Sequence, residues 1–185
     1  MSLKNPEHII IQAKKLVESD KRSEIRLNAH GGNSILVVCE PQEEINYIRA
    51  IRSLMNDHNY TIIDLNEVVI EYVKNNESEL ASYFKLLKGS LKQVFKAPEG
   101  ESWPDLFNEI IQSIEGSFNN KKIPVLINSG ALYGSGIENI HIMEHNLVMR
   151  SELPIVVLYP AVKEGEKLLF LSHRPSSKYR CMIVS

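Results

Sequence analysis

Apolar residues recur along this chain in two rhythms, short continuous runs and a three-to-four spacing, and the two alternate. Asn5-Pro6 predicts a helix start, a capping side chain followed by a proline whose missing N–H is not needed there. Ile9, Ile10, Ala13, Leu16 and Val17 follow at helical spacing to about Lys21. The polar stretch from Asp20 to Asn33 reads as a further helical turn or loop, or as an arm that packs on a partner, and ends in the turn Gly31-Gly32-Asn33. Ser34 to Cys39 is an unbroken apolar run of the kind a doubly covered parallel strand requires. Glu40-Pro41-Gln42-Glu43 turns it into a helix striped by Ile45, Ile48, Ile51, Leu54 and Met55. Tyr60 to Leu65 is a second strand, and Asn66 is expected to cap a helix through Val68, Val69, Tyr72 and Val73.

Glu77 to Lys96 reads as one helix with Gly89 inside it, broken at Ala97-Pro98-Glu99-Gly100. Ser102 or Trp103-Pro104 then starts a helix through Leu106, Phe107, Ile110, Ile111 and Ile114. A polar turn, Asn119 to Lys122, leads into the strand Val125 to Ile127 and a loop punctuated by Gly130, Gly134 and Gly136. The next helix carries Ile137, Ile140, Met143, Leu147 and Val148. Leu153 to Tyr159 is a fourth strand, stopped by Pro160, and Lys167–Leu171 and Tyr179–Val184 are two short final strands, antiparallel or a covering hairpin. Strands alternating with helices predict a three-layer α/β domain with a mainly parallel sheet, in one unit of residues 1–185: an N-terminal helical segment, 1–33, and a core, 34–185.

Composition acts by exclusion. A formal net charge of −2 leaves no general basic field, so neither nucleic acid nor an anionic membrane is an expected partner. No apolar run approaches the roughly 20 residues of a membrane span. The two cysteines, Cys39 and Cys181, lie in apolar runs without a pairing motif, which predicts buried thiols in a reducing cytoplasm.

Three stretches invite chemistry. The first βα turn, where a nucleotide-binding protein places its phosphate loop, carries Glu40, Glu43 and Glu44 and a proline, so it repels a triphosphate and lacks a Walker motif. Gly134-Ser135-Gly136 with Gly130 offers glycines at a helix start, where amides could hold an anion, or else a shaped loop that presents Leu132 and Tyr133. His141-Ile-Met-Glu144-His145 matches a His-x-x-Glu-His metalloprotease pattern, in which two imidazoles on one helix face share zinc and the glutamate is the base; structural histidines explain it equally. Ser129-Gly130 lacks a nucleophile elbow. Asp64, at a strand end, reads as a helix cap or turn residue, and Arg174, Lys178 and Arg180 form a small solvated basic patch.

The order of segments carries a resemblance. Ile35-Leu-Val-Val-Cys39 with its acidic turn is followed by Ile62-Ile63-Asp64-Leu65 and a helix with Val68-Val69-Ile70. Later come Leu126-Ile127-Asn128-Ser129-Gly130-Ala131-Leu132-Tyr133 and Pro154-Ile-Val-Val-Leu-Tyr159-Pro160. This succession resembles the BrxB family, small proteins of bacterial BREX phage-defence islands. The family's Gly-x-Leu-(Tyr/Phe) loop, aromatic-Pro strand end and terminal aromatic strand fall on Gly130 to Tyr133, Leu158 to Pro160 and Tyr179-Arg180; Ala161 stands where the family often has glycine. The resemblance implies a P-loop-like core lacking a Walker motif, no catalytic residues, no cofactor, and association with other BREX components, above all the PglZ-like protein of the alkaline-phosphatase superfamily. The expected function is then a non-catalytic assembly subunit docking through Gly130, Leu132, Tyr133, Tyr159 and Pro160. Exposed aromatics at strand ends suit such a contact. The alternatives are a metal-dependent hydrolase using His141, Glu144 and His145, and a degenerate nucleotide-binding module.

Overall fold

The computed structural model describes residues 5–18, 22–87, 91–96, 105–165, 167–176 and 179–185. In chain order the elements are α1 (Pro6–Glu18), α2 (Arg22–Asn28), β1 (Ser34–Cys39), α3 (Glu44–Leu54), β2 (Tyr60–Asp64), α4 (Leu65–Asn75), α5 (Glu77–Leu86), α6 (Leu91–Val94), α7 (Leu106–Asn119), β3 (Ile123–Ile127), α8 (Asn139–Met143), α9 (Asn146–Arg150), β4 (Ile155–Glu164), β5 (Lys167–Phe170), β6 (Arg174–Pro175) and β7 (Met182–Val184). Short 3-10 turns follow β1 (Pro41–Glu43) and β3 (Ser129–Leu132).

The central sheet has the order β2-β3-β4-β1-β7, with every neighbouring pair on that path parallel. β5 pairs antiparallel with the outer half of β4, and β6 with β5. Alternation along each strand feeds two cores. Ile35, Val37, Cys39, Val125, Val156 and Leu158 point to a layer built by α1, α2 and α3, where they meet Ile10, Val17, Ile25, Tyr47 and Ile51. Leu36, Val38, Leu126, Val157 and Tyr159 point to the opposite layer and meet residues of α4 to α9, among them Tyr72, Ile110, Ile114 and Ile142. Both faces are therefore covered, which is why β1 is apolar without alternation and buried throughout. The fold is the expected three-layer α/β sandwich, with the strand connections of a P-loop-like core.

Several expected boundaries move. Pro160 does not stop the fourth strand. It closes the parallel ladder opposite Cys39, and β4 runs on to pair Ala161–Glu164 with β5. A proline lacks a donor but keeps an acceptor, and the Pro160 carbonyl accepts from Leu171 N at 2.9 Å. The last strand is not half of a tail hairpin, because β7 lies parallel to β1 at the sheet edge. Asp64 rather than Asn66 caps α4, accepting from the Asn66 amide at 3.1 Å. The expected long helix 77–96 is two helices, α5 and α6; Gly89 between them lies outside the described residues, as do Asp20, Lys21, the break at 97–100 and the helix start at 102–104. Asp105 supplies the α7 cap, accepting from Asn108 N.

The segment 22–33 is part of the molecule's own core and not a free arm. Ile25 and Ala29 are fully buried, Arg26 donates to the Met149 and Ser151 carbonyls at 3.0 and 2.7 Å, and the buried Asn33 amide donates to the carbonyls of Val148, Ser151 and Leu153 at 2.9–3.0 Å. Those bonds tie the end of α9 to the start of β1. No helix among the described residues is long and apolar enough to cross a membrane.

Candidate functional site

Open α/β sheets bind ligands beyond the carboxyl ends of their strands, and here that edge is acidic. β1 delivers the chain into the turn carrying Glu40 and Glu43, and Glu44 opens α3. The Glu44 carboxyl is held above the ordinary range by burial and by the neighbouring Asp64 charge, and its Oε1 is buried without a hydrogen-bond partner. Asp64, 9% exposed, is by contrast fully engaged. It accepts from the Asn66 amide, from Asn128 Nδ2 at 2.7 Å and from Arg52 at 2.9 Å, so it pins the ends of β2 and β3 to α3. Asn128 reaches it from a left-handed backbone, φ 58°, a conformation asparagine tolerates. Burial, reinforced by Glu44 and Glu43, pushes the Cys39 thiol up to about 12, and burial alone does the same to Cys181. Both are free thiols, inert as nucleophiles in that state.

The glycine loop uses its own amides. Ala131 N bonds Asn128 O, Tyr133 N bonds Gly130 O, Ser135 N bonds Leu132 O, and Ile137 N bonds Ser135 Oγ, all at 3.0–3.1 Å. Gly134 and Gly136 adopt φ of 88° and 85°, which an L side chain resists. A Cβ on Gly136 would also meet Lys92 Cβ at 3.0 Å. These donors are therefore turned inward to shape the loop, and an anion would have to displace them.

Of the five expected docking residues, only Tyr133 is presented, at 58% exposure. Leu132 and Tyr159 are 2% and 1% exposed, Pro160 is buried and Gly130 half-buried. The expectation of an exposed Tyr159-Pro160 corner fails because β4 continues and β5 folds back over it. The Tyr159 ring stacks on Phe170 at 4.7 Å and meets Tyr179 edge-on, their hydroxyls 2.9 Å apart. Leu132, Tyr133 and Tyr159 nevertheless line one shallow cleft, with Ile137, Glu138, Asn139, Phe170, Arg174 and Tyr179; it encloses only about 30 Å³. Glu138 and Arg174 are ion-paired at its edge. The basic patch is thus largely neutralised: Arg174 meets Glu138, and Arg180 meets Glu144 at 3.3 Å, while Lys178 lies outside the described residues.

The histidine pattern breaks at its premise of one continuous helix. α8 ends with Glu144 as its C-cap, and α9 begins with His145 as its N-cap. His141 Nδ1 accepts from the Glu138 amide at 3.1 Å and His145 Nδ1 from the Leu147 amide at 3.3 Å. A neutral imidazole that accepts at Nδ1 carries its proton on Nε2, which leaves no lone pair for zinc. Burial and Lys96 hold His141 below its ordinary pKa, so it stays neutral. Both rings pack edgewise on Phe107, and Glu144 faces Arg180. Among the described residues no three His, Cys, Asp or Glu side chains converge as a metal site.

No family model, curated protein or solved structure matches this chain. Function therefore rests on the geometry.

Sequence reasoning missed Glu138, Asn139 and Arg174 as cleft residues. Glu138 caps a short helix, Asn139 opens it and Arg174 opens the two-residue strand β6, with no periodicity to mark them. Tyr179 carried a signal as an aromatic in the expected last strand, but its partner, Tyr159, is set by how β5 and β6 fold back.

Proposed function

We propose that this chain is a non-catalytic assembly subunit, docking through the surface around Tyr133 onto a partner protein. The observation that carries it is the state of its reactive groups. Asp64 is saturated by three donors, both histidines accept backbone amides through Nδ1, Cys39 is buried and Cys181 half-buried, and four amides of the glycine loop bond within it. Against that background Tyr133 stands out on a backbone that internal bonds hold in one shape, as interface anchors commonly do. The resemblance to the BrxB family supports placing it in a BREX-type phage-defence system of the bacterial cytoplasm, with the PglZ-like protein as partner and other BREX components beyond it. The acidic turn after β1, in the position a Walker loop would take, supports scaffold use of a P-loop-like core.

Co-expression with a PglZ-like protein tests this. A complex that survives size-exclusion chromatography at micromolar concentration, and that weakens at least tenfold on Tyr133→Ala, is the expected result. A purified pair that stays separate at that concentration ends the proposal.

A further inference from the structure

The first turn of α8 is closed by a group that titrates. Its capping box is reciprocal: the Glu138 carboxylate accepts from the His141 amide, and His141 Nδ1 accepts from the Glu138 amide at 3.1 Å. Such boxes are ordinarily closed by glutamate or glutamine in the position of His141, whose oxygens go on accepting through mild acid. An imidazole accepts only while Nδ1 is bare. A proton there sets one donor against another, and the bond breaks. His145 repeats the arrangement one helix later, its Nδ1 accepting from the Leu147 amide at 3.3 Å to cap α9. Both rings stand edge-on to Phe107 of α7, their centroids 6.5 and 5.8 Å from its own. Both histidines are half-buried, so solvent protons reach them in the folded chain.

The surroundings of His141 oppose its protonation. Burial contributes most, followed by Lys96, which lies over the Phe107 ring 5.1 Å from its centre. Glu138 acts the other way, but its carboxylate is already paired with Arg174 of β6, itself a further opposing charge. Beside His145, Glu144 is likewise paired, with Arg180. The folded chain therefore takes up a proton at His141 less readily than the unfolded chain. The contribution of the cap is complete above the ordinary histidine range and declines as pH falls through that range towards the lowered value.

The box holds the far end of the glycine loop. Gly134 and Gly136 keep φ of 88° and 85°, and Ser135 Oγ donates to Leu132 O and accepts from Ile137 N within the loop. The Glu138–His141 exchange then joins that loop to α8. Ile142 and Met143 are fully buried and keep α8 on the core, which confines any opening to the turn before it.

We propose that this capping box is a proton-operated latch, closed while His141 is neutral and open once Nδ1 is protonated. The segment from Gly134 to Glu138 is then firm at neutral pH and loosens in mild acid, with α8 left in place. The latch needs no partner and stands whether or not Tyr133 docks.

An NMR titration of the isotope-labelled full chain from pH 8 to pH 5 tests it. At pH 8 the His141 ring is expected as the Nε2–H tautomer. As the ring protonates, the Glu138 amide resonance shifts with the same midpoint. Hydrogen-exchange protection of that amide, corrected for the intrinsic effect of pH, falls about fivefold, as for a lost cap. His141→Gln places a non-titrating acceptor in the box, so the Glu138 amide keeps its protection to pH 5 and its pH-dependent shift disappears. His145→Asn leaves the Glu138 profile as it was, which separates the two imidazoles. An Nδ1–H tautomer at pH 8, a Glu138 amide that ignores the ring's midpoint, a profile that survives His141→Gln, or one lost in His145→Asn overturns the latch. The first two readouts come from the unaltered protein and decide the matter even should a variant fold poorly.

Discussion

Replacing Asp64 by alanine separates a structural carboxylate from a reactive one. The side chain accepts three hydrogen bonds from three elements. Loss of the α4 cap costs about 1 kcal/mol. Loss of the 2.7 Å bond from Asn128, whose amide sits on a left-handed backbone that Asp64 helps to hold, costs about 1.5–3 kcal/mol. The Arg52 pair adds only about 0.5 kcal/mol, because that side chain is 54% exposed. Relief of the repulsion on Glu44 works the other way. Asp64→Ala is therefore expected to destabilise by about 2–4 kcal/mol, which in a domain of this size lowers Tm by roughly 5–15 °C. Asp64→Asn keeps an acceptor for the cap and stays within about 1 kcal/mol of the parent. Chemical denaturation with the slope held common to all three proteins measures the difference. A change smaller than about 1 kcal/mol for Asp64→Ala, or a gain, refutes the reasoning, since carboxylates held for chemistry tend to stabilise a fold when removed.

Glu44→Gln should raise stability at neutral pH. A carboxyl whose pKa is raised on folding binds its proton more tightly in the native state, so its contribution falls as pH climbs from the ordinary glutamate range through the raised value. Denaturation midpoints across pH 4–8 should lose that decline in the variant, and an unchanged profile sinks the assignment. Gly32→Ala would place a Cβ 1.8 Å from the Arg180 carbonyl oxygen, backbone against backbone, and should cost about 3 kcal/mol. Gly31→Ala, with φ of 86° but open space around it, is the milder control, at about 1 kcal/mol; equal costs would show that Arg180 does not press on this turn. Cys39 and Cys181, both pushed up to about 12, should resist alkylation in the native protein at pH 8 and react at once in denaturant. Fast labelling of either native thiol counts against the raised pKa.

The two kinds of apolar rhythm are local properties, and they carried the layering. β1 could only be a strand covered on both sides, because its five consecutive apolar positions from Ile35 to Cys39 offer no polar face. The cap at Asn5 was likewise legible, depending on an amide two residues away, whereas at α4 the expected cap, Asn66, turned out to be the donor to Asp64. The histidine pattern misled because helical spacing assumes continuity. Both imidazoles instead bond amides in their own turns, His141 at the start of α8 and His145 at the start of α9. Tyr159 misled for a different reason. A strand end next to proline looks exposed until a later hairpin folds back onto it.

What the chain's own pattern determined is the three-layer α/β architecture, the lack of a Walker motif, and the burial of Cys39, though not of the half-buried Cys181, since each follows from residues close together in sequence. What only the tertiary structure decided is which distant residues meet: Asp64 with Asn128, Arg26 with Ser151, Tyr159 with Tyr179, and β7 with β1. Those meetings saturate the conspicuous carboxylate, bury the conspicuous tyrosine and leave Tyr133 at the surface. The physical reason is that hydrophobic periodicity specifies the face on which a side chain lies, whereas the choice of partner across that face depends on strand order and on the path of the connecting loops.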